Sequence, residues 1–246
     1  MRLSKFIAHA TGLSRSLANK AIRHGRVRVN DAVCKDVSMQ IDNQRVLLDR
    51  QSISISSDYY ILINKPAGYV CSNVNESMPS ALNLLKLSTF ISANEKLPNE
   101  RLLEDPVSYP LNFAGRLDQD TTGLVLLSTD GKWTHNVTSP NRSHGKVYIV
   151  KLAQEINDQQ IAILEEGVSL RNEKKKTKPC NIRRLSNNSL SIELFEGKYH
   201  QVKRMFASQN NRVVALHRES IGSISLEGLN ESEWRFLDEK EVDQFS

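Results

Sequence analysis

"FAGRLDQDTTGLVLLSTDG", residues 113–131, joins a charged turn to a run of apolar residues. The apolar run predicts a buried strand, and Arg116, Asp118 and Asp120 lie within five residues just before it. A partly buried carboxylate is unfavourable unless a cation holds it, and that cation also keeps it ionised, as a nucleophile or base requires. The turn is therefore a candidate catalytic site. The alternative is a structural arginine–aspartate pair at the start of the strand.

A second candidate is the basic segment "EGKYHQVKRMF", residues 196–206, which predicts a helix. Four basic or titratable side chains are concentrated around one of its turns: Lys198, His200, Lys203 and Arg204. Lys203 follows the inward-facing Val202 and can therefore reach the edge of a cleft. The alternative is a solvated basic helix without a ligand.

The segment "HGKVYIV", residues 144–150, predicts a strand with Lys146 and Tyr148 at alternate positions. Alternate side chains of a strand share one face of the sheet, so these two face the same way. Tyr148 is therefore a candidate site residue, although a single tyrosine on a strand is more often part of the packing.

The remainder of the region after residue 58 alternates irregularly between strands and a few helices. Helices are predicted after the turn at Asp130, over 157–167 and over 230–245, with one short helix near 81–87. Irregular interleaving of this kind indicates an α+β domain with a mixed, mostly antiparallel sheet.

The N-terminal segment predicts two short helices and a β-hairpin. Apolar residues recur at helical spacing in the first helix, at Leu3, Phe6, Ile7 and Ala10. Ser14 can cap a second helix, whose apolar face is predicted to contain Leu17, Ala18, Ala21 and Ile22. "VRVNDAV", residues 27–33, then predicts a strand, an Asn-Asp turn and a return strand.

Positive charge is concentrated in the same N-terminal segment. Residues 1–57 hold ten Lys and Arg against four Asp and Glu, whereas residues 58–246 hold 23 against 24. A basic module joined to a nearly neutral body is typical of a protein that binds a polyanion. We therefore expect two domains, at 1–57 and 58–246, with the polar segment 49–58 as their linker.

Composition argues against several other classes of protein. With 39% hydrophobic and 25% charged residues over 246 positions, the chain is typical of a globular protein with a sizeable core. No apolar run approaches the roughly 20 residues that span a bilayer, and we expect no membrane segment and no secretory signal. The cysteines (Cys34, Cys71 and Cys180) are odd in number and lack metal spacing, so we expect reduced thiols, a cytoplasmic location and no metal.

"RLSKFIAHATGLSRSLANKAIRHGRVRVNDAV", residues 2–33, resembles an S4 RNA-binding domain. The resemblance implies a compact module of helices and a hairpin that binds the RNA backbone by neutralising phosphates, without reading base edges. The residues expected to contact RNA are Arg2, Lys5, Arg15, Lys20, Arg23 and Arg26.

Four later segments together resemble the successive motifs of pseudouridine synthases, in the branch that carries an N-terminal S4 domain: "NKPAGYVCS", "FAGRLDQDTTGLVLLSTDG", "KVYIVKL" and "EGKYHQVKRMFA". The resemblance implies the isomerisation of uridine to pseudouridine in RNA, which needs no cofactor and no metal. Within that branch, "DTTGLVLLSTDGKWTH" and "TSPNRSHGKVY" are most similar to the enzyme that acts on 16S ribosomal RNA of the small subunit.

The resemblance also implies roles for individual residues. Asp118 is expected to be the catalytic aspartate, and Tyr148 is expected to stack on the uracil. Arg116 is expected to hold the flipped nucleotide and its phosphate. Either Lys203 or Arg204 is expected to pair with the aspartate, and the sequence leaves that choice open.

The expected partner is 16S ribosomal RNA, either free or within an assembling small-subunit particle, and a monomeric enzyme suits such a substrate. Three alternatives stay open at this point: a synthase that acts on 23S ribosomal RNA, a non-catalytic RNA-binding assembly protein, and a retaining glycosidase. The glycosidase needs two carboxylates about 5 Å apart, for which only Asp120 is a near neighbour, and the basic surroundings suit RNA better.

Overall fold

The computed structural model describes residues 1–54, 58–75, 77–92, 98, 100–107, 109–139, 142 and 144–246. Part of the predicted linker, residues 55–57, and three positions of the "TSPNRSHGKVY" motif, residues 140, 141 and 143, lie outside this set. No helix among the described residues is both long and apolar enough to cross a membrane.

The N-terminal segment forms the two predicted helices, and the predicted hairpin is part of a larger, four-stranded antiparallel sheet. The helices are α1 (Leu3–Thr11) and α2 (Arg15–Arg23). The strands, in the spatial order β2-β1-β3-β4, are β1 (Val27–Val29), β2 (Ala32–Val33), β3 (Val46–Leu48) and β4 (Gln51–Ile53). Asn30 and Asp31 join β1 to β2 with φ values of 47° and 67°, the left-handed conformation that tight hairpin turns require.

Two details of this segment differ from prediction. Leu17 is 51% exposed, because α2 packs through Ala18, Ala21 and Ile22 and turns Leu17 to solvent. The segment predicted as a linker from residue 49 contains β4, which pairs with β3 and therefore belongs to the sheet. The boundary at 57/58 falls between β4 and the next strand and stays a prediction.

The second sheet has nine strands within the described residues. In chain order they are β5 (Tyr60–Lys65), β6 (Asn112–Phe113), β7 (Thr122–Ser128), β8 (Lys146–Leu152), β9 (Asn181–Ser186), β10 (Ser189–Leu194), β11 (Val213–Ile221), β12 (Ile224–Ser225) and β13 (Trp234–Phe236). Their main path is β13-β5-β7-β11-β8-β10-β9, and β7 with β11 is the one parallel pair recorded among them. The predicted α+β class with a mixed, mostly antiparallel sheet is therefore confirmed.

Among the described residues, five further α-helices pack beside this sheet: α3 (Glu100–Glu104), α4 (Gly131–Thr138), α5 (Asp158–Glu166), α6 (Gln201–Ala207) and α7 (Glu239–Asp243). The predicted start of α4 is confirmed, since the Asp130 side chain accepts a hydrogen bond from the Lys132 backbone. Where one short helix was predicted near 81–87, the chain forms two 3₁₀ helices, at Ala81–Leu84 and Leu87–Thr89.

The prediction of a single helix over residues 230–245 was wrong. Trp234–Phe236 forms β13, which pairs with β5, and the fully buried Trp234 ring packs against Phe90. Only Glu239–Asp243 is helical, with Asp238 as its N-cap. Tertiary packing of the aromatic residues outweighs the local helix signal in the first half of this segment.

The parallel contact between β7 and β11 brings together elements that are distant in sequence. Gly123 of β7 pairs with Arg218 of β11, and Arg218 is in turn opposite Tyr148 of β8. A Cβ atom at Gly123 would lie 2.7 Å from the Arg218 backbone nitrogen, so only glycine permits this approach. The turn before β7 therefore lies beside β11 and β8.

Candidate active site

Asp118 lies in the turn before β7, and two side chains from the start of α6 hold its carboxylate. Lys203 Nζ is 3.1 Å from Asp118 Oδ2, and His200 Nε2 is 3.3 Å from Asp118 Oδ1. The Asp118 side chain is 30% exposed, so it is half-buried yet accessible. No ion pair joins Arg116 to Asp118 in the described structure, so the cation that holds this carboxylate comes from α6.

The backbone of the turn is fixed on several sides. Gly115 has a φ of 94°, which lets the chain leave β6 and turn sharply. The Leu117 amide donates to Cys71 Sγ at 3.4 Å, and the Gly68 amide donates to the Gln119 carbonyl at 2.9 Å. These bonds connect the turn to the "KPAGYVC" segment after β5, so Asp118 has a rigid support.

Lys203 bridges two carboxylates. Besides Asp118 it contacts Asp120 Oδ1 at 2.6 Å. Burial lowers the pKa of Lys203, but its hydrogen bonds to Asp120 and Asp118 outweigh burial and raise the pKa above its ordinary value. The same hydrogen bond lowers the pKa of the Asp120 carboxyl group, because it stabilises the carboxylate. Lys203 is therefore a stable ammonium cation at neutral pH.

A pocket of about 260 Å³ opens beside Asp118. Four of the five residues expected to act in catalysis or substrate binding line it: Arg116, Asp118, Tyr148 and Lys203. Asp120 is 72% exposed and does not line this pocket, so of the two carboxylates only Asp118 faces it. The structure thus distinguishes two aspartates that the sequence presents as near equivalents.

Arg204 points away from the pocket. Its guanidinium donates to Glu173 Oε1 at 3.2 Å, to the Tyr199 carbonyl at 2.9 Å and to the Arg171 carbonyl. The basic partner of Asp118 is therefore Lys203, and Arg204 fixes the segment that precedes α6.

Arg218 is a site residue that the sequence reasoning missed. It is 2% exposed, and its guanidinium donates to the Leu124 carbonyl at 2.8 Å and to the Arg116 carbonyl at 3.5 Å. No carboxylate partner of Arg218 is recorded among the described residues. The sequence did offer one indication of Arg218, which is an arginine within the apolar strand segment "VVALHRESI". A charged side chain in a buried strand is unfavourable unless polar groups contact it, so such a residue is a candidate for a functional role.

The buried Lys65 and the half-buried Lys146 add to the positive charge behind the turn. Lys65 donates to the carbonyls of Pro66 at 2.8 Å and Tyr69 at 3.0 Å, and burial lowers its pKa. Lys146 lines the pocket beside Tyr148, as their shared strand face predicts, and burial lowers its pKa as well. The pocket is therefore suited to a ligand with negative charge or carbonyl oxygens.

The six basic residues proposed for RNA contact in the N-terminal segment are all exposed: Arg2, Lys5, Arg15, Lys20, Arg23 and Arg26. Arg26 differs from the others, because its Nε and Nη2 atoms lie 2.9 Å and 2.5 Å from the two carboxylate oxygens of Asp49. Its positive charge is thus partly neutralised within the protein.

The arrangement combines a half-buried carboxylate, a fixed ammonium group, an aromatic side chain and a basic pocket wall. A carboxylate in this setting can attack an electrophilic carbon or remove a proton. Within the described part of the chain, no group of three or more His, Cys, Asp and Glu side chains is placed to hold a metal ion.

Comparisons with known proteins agree with this geometry. Residues 59–208 match the RNA pseudouridylate synthase family, and residues 1–47 match the S4 domain. The ribosomal small subunit pseudouridine synthase A of Haemophilus influenzae is 40% identical over 99% of both chains. The protein of the same name from Escherichia coli K12 is 38% identical over 98% of both chains.

A solved structure shows the same similarity in three dimensions. A crystal structure of a pseudouridylate synthase matches with a TM-score of 0.68 and 38% identity, and the match covers 100% of both chains. Asp118, Tyr148 and Lys203 all lie inside the matched region 59–208. The chain therefore belongs to the RNA pseudouridylate synthase family, as an enzyme with an N-terminal S4 domain.

Proposed function

We propose that this protein isomerises a uridine of 16S ribosomal RNA to pseudouridine and that Asp118 is its catalytic carboxylate. The observation that carries the proposal is the contact of Lys203 and His200 with Asp118 at the mouth of the 260 Å³ pocket. The choice of 16S ribosomal RNA is supported by the relatives near 40% identity, which are named as small-subunit enzymes.

The reaction breaks the N1–C1′ bond of uridine, turns the uracil and joins C5 to C1′. C5 then loses its proton and N1 takes one up, so the product is an isomer of the substrate. No electrons are exchanged with an outside group. The Asp118 carboxylate can assist by attacking the nucleotide covalently or by removing a ribose proton to give a glycal. Both routes use a carboxylate, and the Lys203 ammonium group contacts the Asp118 carboxylate at 3.1 Å.

Tyr148 and Arg116 are proposed to hold the substrate. A base must leave its stack before its glycosidic bond can be reached, and an aromatic ring in the pocket gives it a new surface. The Tyr148 ring is fixed by Arg218, whose guanidinium carbon lies 5.9 Å from the ring centroid. The exposed side chain of Arg116 is suited to the phosphate of the extruded nucleotide.

Six exposed basic residues of the N-terminal segment are proposed to bind the backbone of folded ribosomal RNA: Arg2, Lys5, Arg15, Lys20, Arg23 and Arg26. Residues 1–57 are proposed as one domain and 58–246 as the other. We further propose that the protein acts as a monomer in the cytoplasm on a particle of the assembling small subunit. The overall charge of +5 suits a polyanionic partner. Light scattering of the purified protein tests the monomeric state.

Carbodiimide mapping of pseudouridine tests the proposed reaction and its target. Ribosomal RNA is compared between a strain that lacks this protein and the same strain that expresses it. We expect one modified position in 16S RNA to disappear with the protein and to return with it. A change confined to 23S RNA would overturn the choice of target, and no change in either RNA would favour a non-catalytic RNA-binding protein.

A further inference from the structure

Tyr199 presents an aromatic ring to solvent directly beside the active site. Its residue exposure is 72%, the highest among the exposed large hydrophobic residues of the described chain, and it is the one aromatic among them. Single exposed apolar side chains are common on protein surfaces, so exposure alone does not indicate a ligand. The place of this ring beside the active site is what makes it a candidate contact for a flat ligand.

The ring is stacked on the imidazole of His200. The two ring centroids lie 3.8 Å apart and the rings are inclined by 23°. The same imidazole contacts Asp118 Oδ1 at 3.3 Å, so Tyr199 is connected to the catalytic carboxylate through a single side chain. A group stacked on Tyr199 would lie next to the reacting nucleotide rather than in its place.

The backbone around Tyr199 is fixed before any ligand arrives. Arg204 donates to the Tyr199 carbonyl at 2.9 Å, and Glu173 holds Arg204 at 3.2 Å. His200 has a φ of 46°, a left-handed conformation that is uncommon for a residue other than glycine. A fixed aromatic surface loses little conformational entropy when a flat ligand stacks on it.

Tyr199 and His200 also line a second cleft of about 860 Å³, which shares the wall from Gly115 to Asp118 with the catalytic pocket. The remainder of its lining is mixed, with Phe113 and the polar side chains of Ser72 and Asn73. This cleft is larger than the catalytic pocket and borders it at the Asp118 turn.

We propose that this cleft is a second base-binding site, in which Tyr199 stacks on an unpaired RNA base that flanks the target uridine. The proposal rests on the proposed function, since it needs an RNA substrate whose target nucleotide reaches Asp118. Proteins that bind unpaired RNA commonly stack successive bases on exposed aromatic rings. The two bordering clefts would hold two neighbouring nucleotides, one that reacts and one that positions the RNA.

The test compares Tyr199→Ala, Tyr199→Phe and wild-type protein on 16S RNA transcripts that carry the mapped uridine. Tyr199→Ala is expected to raise KM by about tenfold to a hundredfold and to change kcat little, because loss of one stacking contact weakens binding by about that factor. Tyr199→Phe is expected to restore KM, because it keeps the ring. Leu87→Ala removes another exposed side chain outside both clefts and serves as the control.

A second set of transcripts carries an abasic nucleotide on either side of the uridine. If Tyr199 stacks on one of these bases, the abasic change and Tyr199→Ala are not additive in their effect on KM. Full additivity at both positions, an unchanged KM in Tyr199→Ala, or a loss confined to kcat would each overturn the proposal. Failure of the wild-type protein to form pseudouridine at all would instead overturn the proposed function.

Discussion

Arg218 Nη1 lies 3.4 Å from the hydroxyl of Tyr148, across the antiparallel pair of β11 and β8. The same guanidinium reaches the carbonyls of Leu124 and Arg116, so one buried cation connects a core strand, the Asp118 turn and the pocket tyrosine. Arg218 is therefore a positioning residue, which fixes the groups that contact substrate without being expected to react itself.

Replacing Arg218 tests this positioning role. Arg218→Lys keeps the charge, but a single ammonium cannot reach three separate acceptors, so we expect kcat to fall by as much as about 100-fold while RNA binding is retained. The measurement is single-turnover kinetics beside a filter-binding assay. Arg183→Lys, on the exposed strand β9, is the matched control and should leave both quantities unchanged.

Tyr148→Phe tests whether Arg218 affects kcat through its contact with Tyr148. This substitution removes only the hydroxyl group that accepts the hydrogen bond from Arg218. The two changes should be non-additive in kcat, because both disrupt the same contact. Equal kcat values in Arg218→Lys and wild type would contradict the positioning role.

Lys203 should be required as a cation rather than as a lysine. Lys203→Met leaves Asp118 with His200 alone, so we expect kcat to fall by about 10²–10³-fold, the usual cost of removing one charge-stabilising group. Lys203→Arg should recover much of this loss. A Lys203→Met enzyme with wild-type kcat would show that the 3.1 Å contact has no part in the reaction.

Asp120 should control the alkaline limit of activity. Its hydrogen bond helps to raise the pKa of Lys203, so Asp120→Asn lowers that pKa and Lys203 loses its proton at lower pH. The alkaline decline of kcat/KM should therefore begin at lower pH in Asp120→Asn than in wild type. Short single-turnover reactions at increasing alkaline pH measure this, with the exposed Asp158→Asn as control. If kcat/KM declined over the same alkaline pH range in Asp120→Asn and in wild type, the expectation would be wrong.

Gly123 should be required for stability. A side chain there would collide with the Arg218 backbone, and the residue has a φ of 105°, so Gly123→Ala should lower the free energy of unfolding by about 1–3 kcal/mol or more. Gly131, at the start of α4, has open space where the Cβ atom of an alanine would lie. Gly131→Ala should therefore be neutral or slightly stabilising. Urea denaturation compares the two, and equal losses would contradict the packing argument.

Elements with strong local signals were predicted correctly. α5 ends at Glu166 before Gly167, and the turn through Asn30 and Asp31 joins β1 to β2, because capping and turn residues act over a few positions. The strands β9 and β13 were missed. β9 is polar and mostly exposed, and β13 depends on pairing with β5, which is distant in sequence.

The sequence predicted those parts of the site that depend on local motifs, and it missed those that depend on contacts between distant segments. Asp118, Tyr148 and Lys203 stand in recognisable segments, and the structure brings them to one pocket. The contacts of Arg218 and His200, and the departure of Arg204 toward Glu173, depend on how β11 and α6 approach the Asp118 turn. The spacing of residues along the chain does not show how these distant elements pack against one another.

The most direct test of the account is pseudouridine formation by purified Asp118→Asn enzyme on 16S RNA, with Asp120→Asn as the matched control. Both aspartates contact Lys203, but only Asp118 lines the pocket. We expect Asp118→Asn to bind RNA and form no pseudouridine, whereas Asp120→Asn still forms it. Pseudouridine formation by Asp118→Asn at the wild-type rate would contradict the central claim.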